Sequence, residues 1–103
     1  MRLPVAGLAL VLFSCPAGAA PDVAVGRQIF LERAEPRCGV CHTLADAGTT
    51  GEVGPNLDLL KPEAERVKAA VSNGIGVMPA FEDLSPEDIE SLAAYVAGAA
   101  GRK

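Results

Sequence analysis

The most constraining feature of this 103-residue chain is a five-residue stretch that concentrates thiol and imidazole side chains. Residues 38–42 read Cys-Gly-Val-Cys-His and include the only histidine of the chain. The third cysteine, Cys15, lies far from this stretch, in an apolar segment near the N-terminus. The chemistry open to the protein therefore depends on what a Cys-x-x-Cys-His sequence binds.

Residues 1–19 have the pattern of a secretory signal peptide. Arg2 gives a positive start, residues 3–13 are almost entirely apolar, and residues 17–19 form an Ala-Gly-Ala cleavage site. We expect cleavage after Ala19, which leaves residues 20–103 as the mature domain.

Two alternatives to a cleaved signal peptide involve the membrane. An uncleaved anchor is one, but the apolar run of about 11 residues is shorter than the roughly 20 that a membrane-spanning helix needs. Lipid attachment at Cys15 is the other, because residues 12–15 loosely resemble a bacterial lipoprotein cleavage box. We favour an exported periplasmic domain without a membrane span.

The mature domain has few large apolar side chains. Only 22 of its residues are Val, Ile, Leu, Met, Phe or Tyr, and the aromatic ones are Phe30, Phe81 and Tyr95. Domains of this size usually need a staple, a metal or a cofactor to become stable. Without Arg2 the net charge is 8 − 13 = −5, and no basic run is present, so nucleic acid is not an expected partner.

The first predicted helix covers residues 22–33. Val25, Ile29 and Phe30 recur there at helical spacing and are predicted to form its inner face. Residues 43–60 are rich in Gly, Thr and Pro, which indicates a long structured loop.

Two further helices are predicted. One begins with Pro62 at its first position and stops at Gly74 in a left-handed cap. The last helix has Ser85 as N-cap, Pro86 at the first helical position and Asp88 three residues after the cap. Its inner face is predicted to contain Ile89, Leu92, Tyr95 or Val96, and Ala99. No segment alternates polar and apolar residues, so we expect an all-α domain with three main helices and long loops.

The spacing of Cys38, Cys41 and His42 is that of covalent haem attachment. Two thiols separated by two residues lie on one side of a helical turn and can add to the two haem vinyl groups, and the next residue turns a ring nitrogen onto the iron. A covalent haem would also explain how so small a chain folds. We therefore predict one haem c, with Cys38 and Cys41 as its thioether links and His42 as an axial iron ligand.

Three other uses of the two thiols remain open. A zinc site would need a fourth ligand, and the mature chain has no further Cys or His to supply it. A thiol–disulfide active site usually belongs to a βαβ unit, which this sequence does not indicate. A structural disulfide across two residues would close a very small loop and stabilise little.

The second axial ligand is assigned by elimination. With His42 used, Met78 is the only methionine outside the leader, and it lies in a loop that Pro79 stiffens. A methionine that merely fills the core is the ordinary alternative. Lys61 and Lys68 are further candidates, although a lysine ligand must first lose its proton.

The order of these features resembles that of class I cytochromes c over essentially the whole mature chain. The matching residues are Gly26 with Phe30, residues 38–42, Gly54 with Pro55 and Leu57, Met78 with Pro79, and Leu92 with Tyr95. The resemblance implies a cytochrome c fold wrapped around one haem.

The same resemblance assigns roles to four residues outside the attachment motif. It implies that the carbonyl of Pro55 binds the second ring nitrogen of His42. It also implies that Gly26 lets the first and last helices cross closely, with Phe30 and Tyr95 packed at the crossing.

Residues 41–60 further resemble small bacterial monohaem cytochromes that accept electrons from periplasmic sulfite dehydrogenases. We expect an electron carrier rather than an enzyme. The carrier is expected to accept electrons from a periplasmic dehydrogenase and to pass them towards a terminal oxidase or another cytochrome. The alternatives are a haem-bearing relay subunit of a dehydrogenase and an open-site haem protein that binds ligands or peroxide.

An acidic cluster follows the predicted methionine loop. It consists of Glu82, Asp83, Glu87, Asp88 and Glu90. These side chains either steer a basic redox partner or complement the N-terminal dipole of the last helix and solvate its surface.

Overall fold

The computed structural model describes residues 2–4, 6–7, 9–11 and 20–102. Cys15 and the predicted cleavage site at residues 17–19 lie outside the described residues, so cleavage and lipid attachment stay predictions. Within the described residues, no helix is both long enough and apolar enough to cross a membrane.

The described part of the chain forms five α-helices and one small antiparallel hairpin. In chain order they are α1 (Val23–Gln28), α2 (Cys38–Cys41), β1 (Thr43–Leu44), β2 (Thr49–Thr50), α3 (Leu57–Leu60), α4 (Ala64–Asn73) and α5 (Pro86–Ala99). A π-helical turn, Ile29–Arg33, continues α1, and a 3-10 turn, Ala45–Ala47, connects the two strands. The predicted architecture of three main helices and long loops is confirmed, and the two-residue strands are an addition to it.

The first helix begins at Val23, one residue after its predicted start, and Asp22 caps it. The Asp22 carboxylate accepts hydrogen bonds from the backbone N–H groups of Ala24 (3.0 Å) and Val25 (3.2 Å), which is an N-cap. At the other end, the Ala34 N–H donates to the Ile29 carbonyl at 3.0 Å, five residues back, which is the π-helical hydrogen bond. The wider turn leaves Ile29 and Phe30 both buried, as their spacing predicts.

The crossing of α1 and α5 depends on Gly26. A Cβ atom there would overlap the backbone carbonyl of Ser91 and lie 2.7 Å from the Cβ of Tyr95. Beside this contact, the rings of Phe30 and Tyr95 meet edge to face, with centroids 6.1 Å apart. The predicted close crossing is confirmed.

Replacing Gly26 with Ala is expected to lower the free energy of unfolding by about 1–3 kcal/mol or more, because the added methyl overpacks a backbone-to-backbone contact. Gly98→Ala on the exposed side of α5 is the matched control, since the nearest atom to its Cβ is 3.9 Å away. That control should gain about 0.5–1 kcal/mol from helix propensity. Guanidinium unfolding of the haem-loaded proteins measures both, and equal effects of the two changes would contradict the crossing.

Helix α4 ends at Gly74 as predicted, but it begins two residues later than predicted and its C-terminal cap has a different ψ. Glu63 is the N-cap and Ala64 is the first helical residue, so Pro62 lies one residue before the cap and is wrong as the first position. Gly74 does end the helix with a positive φ of 72°, but its ψ of 162° is extended and not that of a left-handed cap. The reason is that the chain turns away from the helix at once, towards the loop that carries Met78.

The start of α5 agrees with its prediction in detail. The Ser85 hydroxyl accepts from the Asp88 N–H at 3.0 Å, and the Asp88 carboxylate accepts from the Ser85 N–H at 3.3 Å. Arg33 also pairs with Asp88 at 3.0 Å, which ties the end of the first helix to the start of the last. Desolvation raises the pKa of Asp88, but the hydrogen bonds from Ser85 and the ion pair with Arg33 outweigh it, so the pKa lies below its ordinary value.

One hydrophobic core joins these helices to the hairpin. Its buried members are Ile29, Phe30, Ala34, Leu44, Ala47, Leu57, Val71, Phe81, Leu92, Tyr95, Val96 and Ala99. Tyr95 and Val96 are both buried, whereas Ile89 is only half-buried. Cys38 and Met78 are among the half-buried side chains that pack against this core, so two of the predicted cofactor-binding residues contact the same cluster.

Candidate functional site

Helix α2 is a single turn that carries both cysteines of the motif. The His42 N–H donates to the Cys38 carbonyl at 3.0 Å and closes this turn, and both thiols are free. Residues three apart in a helical turn lie on the same face, so the two sulfur atoms share one side of the turn. Burial against the core raises the pKa of the Cys38 thiol to about 11, which keeps it protonated at neutral pH.

The His42 ring is oriented by a carbonyl. Its Nδ1 lies 2.8 Å from the carbonyl oxygen of Pro55. A carbonyl oxygen only accepts hydrogen bonds, so in this contact Nδ1 carries the hydrogen and Nε2 keeps its lone pair. Nε2 is therefore the ring atom available to a metal ion.

Gly54 gives the His42 ring the space to lie against the backbone. A Cβ atom on Gly54 would be 2.5 Å from Cε1 of the ring and 2.9 Å from Nδ1. The Gly54 N–H also donates to the Cys41 carbonyl at 2.7 Å. The segment around Gly54 and Pro55 thus holds the motif through one backbone and one side-chain contact.

The hairpin β1–β2 lies against the same motif, and sequence reasoning missed it. Thr49 donates its hydroxyl to the His42 carbonyl at 2.9 Å, and Thr43 donates its hydroxyl to the Gly51 carbonyl at 3.0 Å. Gly48, with φ +68°, closes the turn between the strands. Two threonine-containing segments separated by a short glycine turn are a hairpin signal that could have indicated this element.

Met78 is presented by a tight turn. The N–H of Ile75 donates to the Met78 carbonyl at 3.0 Å, and the N–H of Met78 donates to the Ile75 carbonyl at 2.9 Å. Gly76 has φ +56°, whereas Val77 is not among the residues with positive φ, and this pair of signs is the pattern of a type II′ turn. The turn holds the Met78 backbone in place while its side chain packs against the core.

Lys68, one of the alternative ligand candidates, is engaged elsewhere. Its ammonium group lies 2.6 Å from the Glu90 carboxylate and 3.1 Å from that of Glu65. The hydrogen bond to Glu90, followed by that to Glu65, raises the pKa of Lys68. A lysine held in its protonated form has no lone pair to offer a metal ion.

The donor set fits haem c better than the alternatives. In the described part of the chain, no three His, Cys, Asp or Glu side chains are grouped so that they could hold a metal ion. Thiol–disulfide enzymes use a cysteine of lowered pKa, whereas the pKa of Cys38 is raised. Two free thiols on one turn are the groups that covalent haem attachment requires, and an imidazole and a thioether are groups that can coordinate its iron.

The acidic cluster is partly used within the molecule. Asp88 pairs with Arg33, and Glu90 pairs with Lys68. Glu82, Asp83 and Glu87 are exposed.

Comparison with known proteins places this chain in a family. A family model described as Cytochrome C oxidase, cbb3-type, subunit III, matches residues 21–96. Cytochrome c6 of Nostoc sp. is 40% identical over 105 aligned positions, which cover 91% of this chain and 86% of that protein. Cytochrome c6 of Cyanidioschyzon merolae is 35% identical over 81 positions, which cover 75% of this chain and 74% of that protein.

A solved structure is also similar. The c-type cytochrome SorU from Sinorhizobium meliloti is 66% identical, with a TM-score of 0.76, over 77% of this chain and 91% of that one. This similarity confirms the fold that the order of sequence features predicts.

Proposed function

Since this chain belongs to the c-type cytochromes, electron carriers that hold covalent haem c, we propose that Cys38 and Cys41 form its thioether links. His42 and Met78 are the axial iron ligands in this proposal. The observation that carries it is the 2.8 Å hydrogen bond from His42 Nδ1 to the Pro55 carbonyl, which orients the ring and leaves Nε2 for the iron.

Three observations support Met78 as the second ligand. Its side chain and that of Cys38 pack against one core cluster. The reciprocal hydrogen bonds with Ile75 hold its backbone in one conformation. Lys68 is tied to two carboxylates.

This ligand set suits electron transfer without substrate chemistry. Haem supplies a one-electron ferric–ferrous couple when it is bound. If His42 and Met78 both held the iron, they would leave no position for O₂ or peroxide, and the thioether of Met78 would favour the reduced metal. The protein's task is then to hold both ligands in place through each cycle.

Patterns in the sequence support a proposed donor and a proposed compartment. We propose that residues 1–19 direct export to the periplasm, where the domain of residues 20–103 carries electrons. A periplasmic sulfite dehydrogenase is the proposed donor, because residues 41–60 resemble cytochromes that serve such enzymes, and a terminal oxidase lies downstream.

Stopped-flow reduction tests this function. The ferric protein is mixed with a sulfite dehydrogenase, with and without sulfite, and the visible spectrum is followed. We expect reduction that depends on sulfite and a ferrous form that does not bind CO within seconds. Failure of reduction would remove the donor assignment, rapid CO binding would favour the open-site alternative, and stable copurification with the enzyme would favour a relay subunit.

The same stopped-flow reaction tests whether acidic residues steer docking. The exposed ones are Glu82, Asp83 and Glu87. If they steer the protein onto a basic partner, the second-order rate falls as ionic strength rises. A rate that does not depend on salt would assign the cluster to solvation of α5.

The turn that presents Met78 gives a separate prediction. Gly76→Ala places a side chain at φ +56° with nothing within 4 Å of its Cβ, so its effect is one of backbone strain of about 1–2 kcal/mol. We expect the far-red band of methionine ligation to be lost at a lower denaturant concentration. Gly48→Ala, at φ +68° and also in open space, is the control. In this variant the far-red band should persist to the same denaturant concentration, relative to global unfolding, as in the unmodified protein. Equal behaviour of the two variants would contradict the role of the turn.

A further inference from the structure

The side chain of Thr49 contacts two residues of the attachment motif, Gly39 near its start and His42 at its end. Its hydroxyl donates to the His42 carbonyl at 2.9 Å and accepts from the Leu44 N–H at 3.1 Å. The alternative acceptor for the hydroxyl hydrogen, the Leu44 carbonyl, is farther away at 3.5 Å. The bond to His42 is therefore the one that the hydroxyl makes.

The methyl group of Thr49 lies against the start of the motif. A Cβ atom on Gly39 would overlap Cγ2 of Thr49 and would lie 2.8 Å from its Cβ. In the same way, a Cβ on Gly51 would lie 2.6 Å from the carbonyl oxygen of Gly39. The hairpin therefore packs directly on the backbone of α2, and both glycines are needed for this approach.

Three hydrogen bonds hold His42, and only one of them comes from a side chain outside the motif. Its N–H donates to the Cys38 carbonyl at 3.0 Å, and its ring donates to the Pro55 carbonyl at 2.8 Å. In the third, its own carbonyl accepts from Thr49. His42 has left the helical turn, with φ −120° and ψ 138°, so the helix does not fix the direction of that carbonyl.

We propose that Thr49 is a positioning residue for His42, which sets the orientation of the imidazole plane by fixing the peptide that follows it. His42 is then held by two hydrogen bonds, one from its ring to the Pro55 carbonyl and one from the Thr49 hydroxyl to its backbone carbonyl. Thr49 and Pro55 lie on either side of Gly51 in the sequence. This inference rests on the proposed role of His42 as an axial ligand.

Three variants separate positioning from general stability. Thr49→Val removes the hydroxyl and keeps the shape, and Thr49→Ser keeps the hydroxyl and removes the methyl. Thr43→Val is the matched control, because it removes a hydroxyl-to-carbonyl bond of 3.0 Å in the same hairpin and leaves the hydrogen bond from Thr49 to the His42 carbonyl in place. Guanidinium unfolding of each variant records the change in stability.

The readout is the set of hyperfine-shifted haem methyl resonances in the proton NMR spectrum of the ferric protein, which depends on the orientation of the axial imidazole. We expect Thr49→Val to change the order or spread of the four methyl shifts, whereas Thr49→Ser and Thr43→Val keep the wild-type pattern. A wild-type pattern in Thr49→Val, or an equal change in Thr43→Val, would overturn the proposal.

A measurement on the unmodified protein covers the case in which Thr49→Val fails to fold. The Thr49 hydroxyl proton should exchange slowly with solvent, and the side-chain couplings of Thr49 should report the rotamer that brings the hydroxyl to the His42 carbonyl. A Thr49 side-chain rotamer that turns the hydroxyl away from His42 would refute the contact. Failure of the proposed function would instead appear in the wild type, as a ferric spectrum without histidine and methionine ligation.

Discussion

Met78→Ala is expected to keep its covalent haem, to bind CO rapidly in the ferrous form, and to lower the midpoint potential. The fall should be on the order of 0.1–0.3 V, a fraction of the roughly 0.8 V over which axial ligands set haem potentials. The reason is that Ala offers no donor atom, so one coordination position opens and the stabilisation of ferrous iron by the thioether is lost. Potentiometric titration and flash photolysis with CO measure the two effects.

Val77→Ala is the matched control for this prediction. Val77 precedes Met78 in the same turn, but its side chain is 88% exposed, so its removal should change neither CO binding nor the potential. A Met78→Ala protein that behaves like the control would show that Met78 is not a ligand.

The double variant Cys38→Ser, Cys41→Ser is expected to lose covalent haem completely and, with it, most of the folded domain. The domain has only 22 large apolar residues after the leader, and two half-buried members of the site, Cys38 and Met78, pack on its core. A domain with so small a hydrophobic core relies on its cofactor for stability. Acid–acetone extraction measures the haem, and far-UV circular dichroism measures the helix content.

Cys15→Ser is the control for the cysteine prediction. If cleavage follows Ala19, this change leaves the mature protein identical to the wild type in mass, haem content and circular dichroism. Loss of membrane association in this variant would instead reveal lipid attachment at Cys15. Covalent haem in the double variant of Cys38 and Cys41 would contradict the attachment site itself.

Features that depend on neighbouring residues were predictable from the sequence. The capping box of Ser85 and Asp88 uses atoms only three residues apart, and its hydrogen bonds are present as expected. The same is true of the motif turn from Cys38 to His42, which a single hydrogen bond closes.

Some contacts between distant residues had no signal in the sequence. Tyr95 donates to the Asp46 carboxylate at 2.6 Å across 49 positions of sequence, and desolvation and that carboxylate raise its pKa. Asp58 accepts from the Ala45 N–H at 2.9 Å and the Gly101 N–H at 2.8 Å, which joins α3 to the hairpin and to the end of α5. A lone carboxylate in a sequence gives no sign of which backbone groups it will meet.

The candidate site divides in the same way. His42 and the two cysteines lie within five residues and could be proposed from their spacing, and Met78 could be proposed because the mature chain has so few other candidate ligands. The contact of Thr49 with the His42 carbonyl depends on how the hairpin folds back over seven residues. Its two strands are only two residues long, too short for an alternating pattern to register.

The most direct test is a reduced-minus-oxidised visible spectrum of the protein exported by a host that matures c-type cytochromes, followed by acid–acetone extraction. We predict haem that survives the extraction, together with the weak far-red band of methionine bound to ferric iron. Covalent haem without that band would contradict Met78 as a ligand. Haem that is extracted, or absent, would contradict the attachment to Cys38 and Cys41.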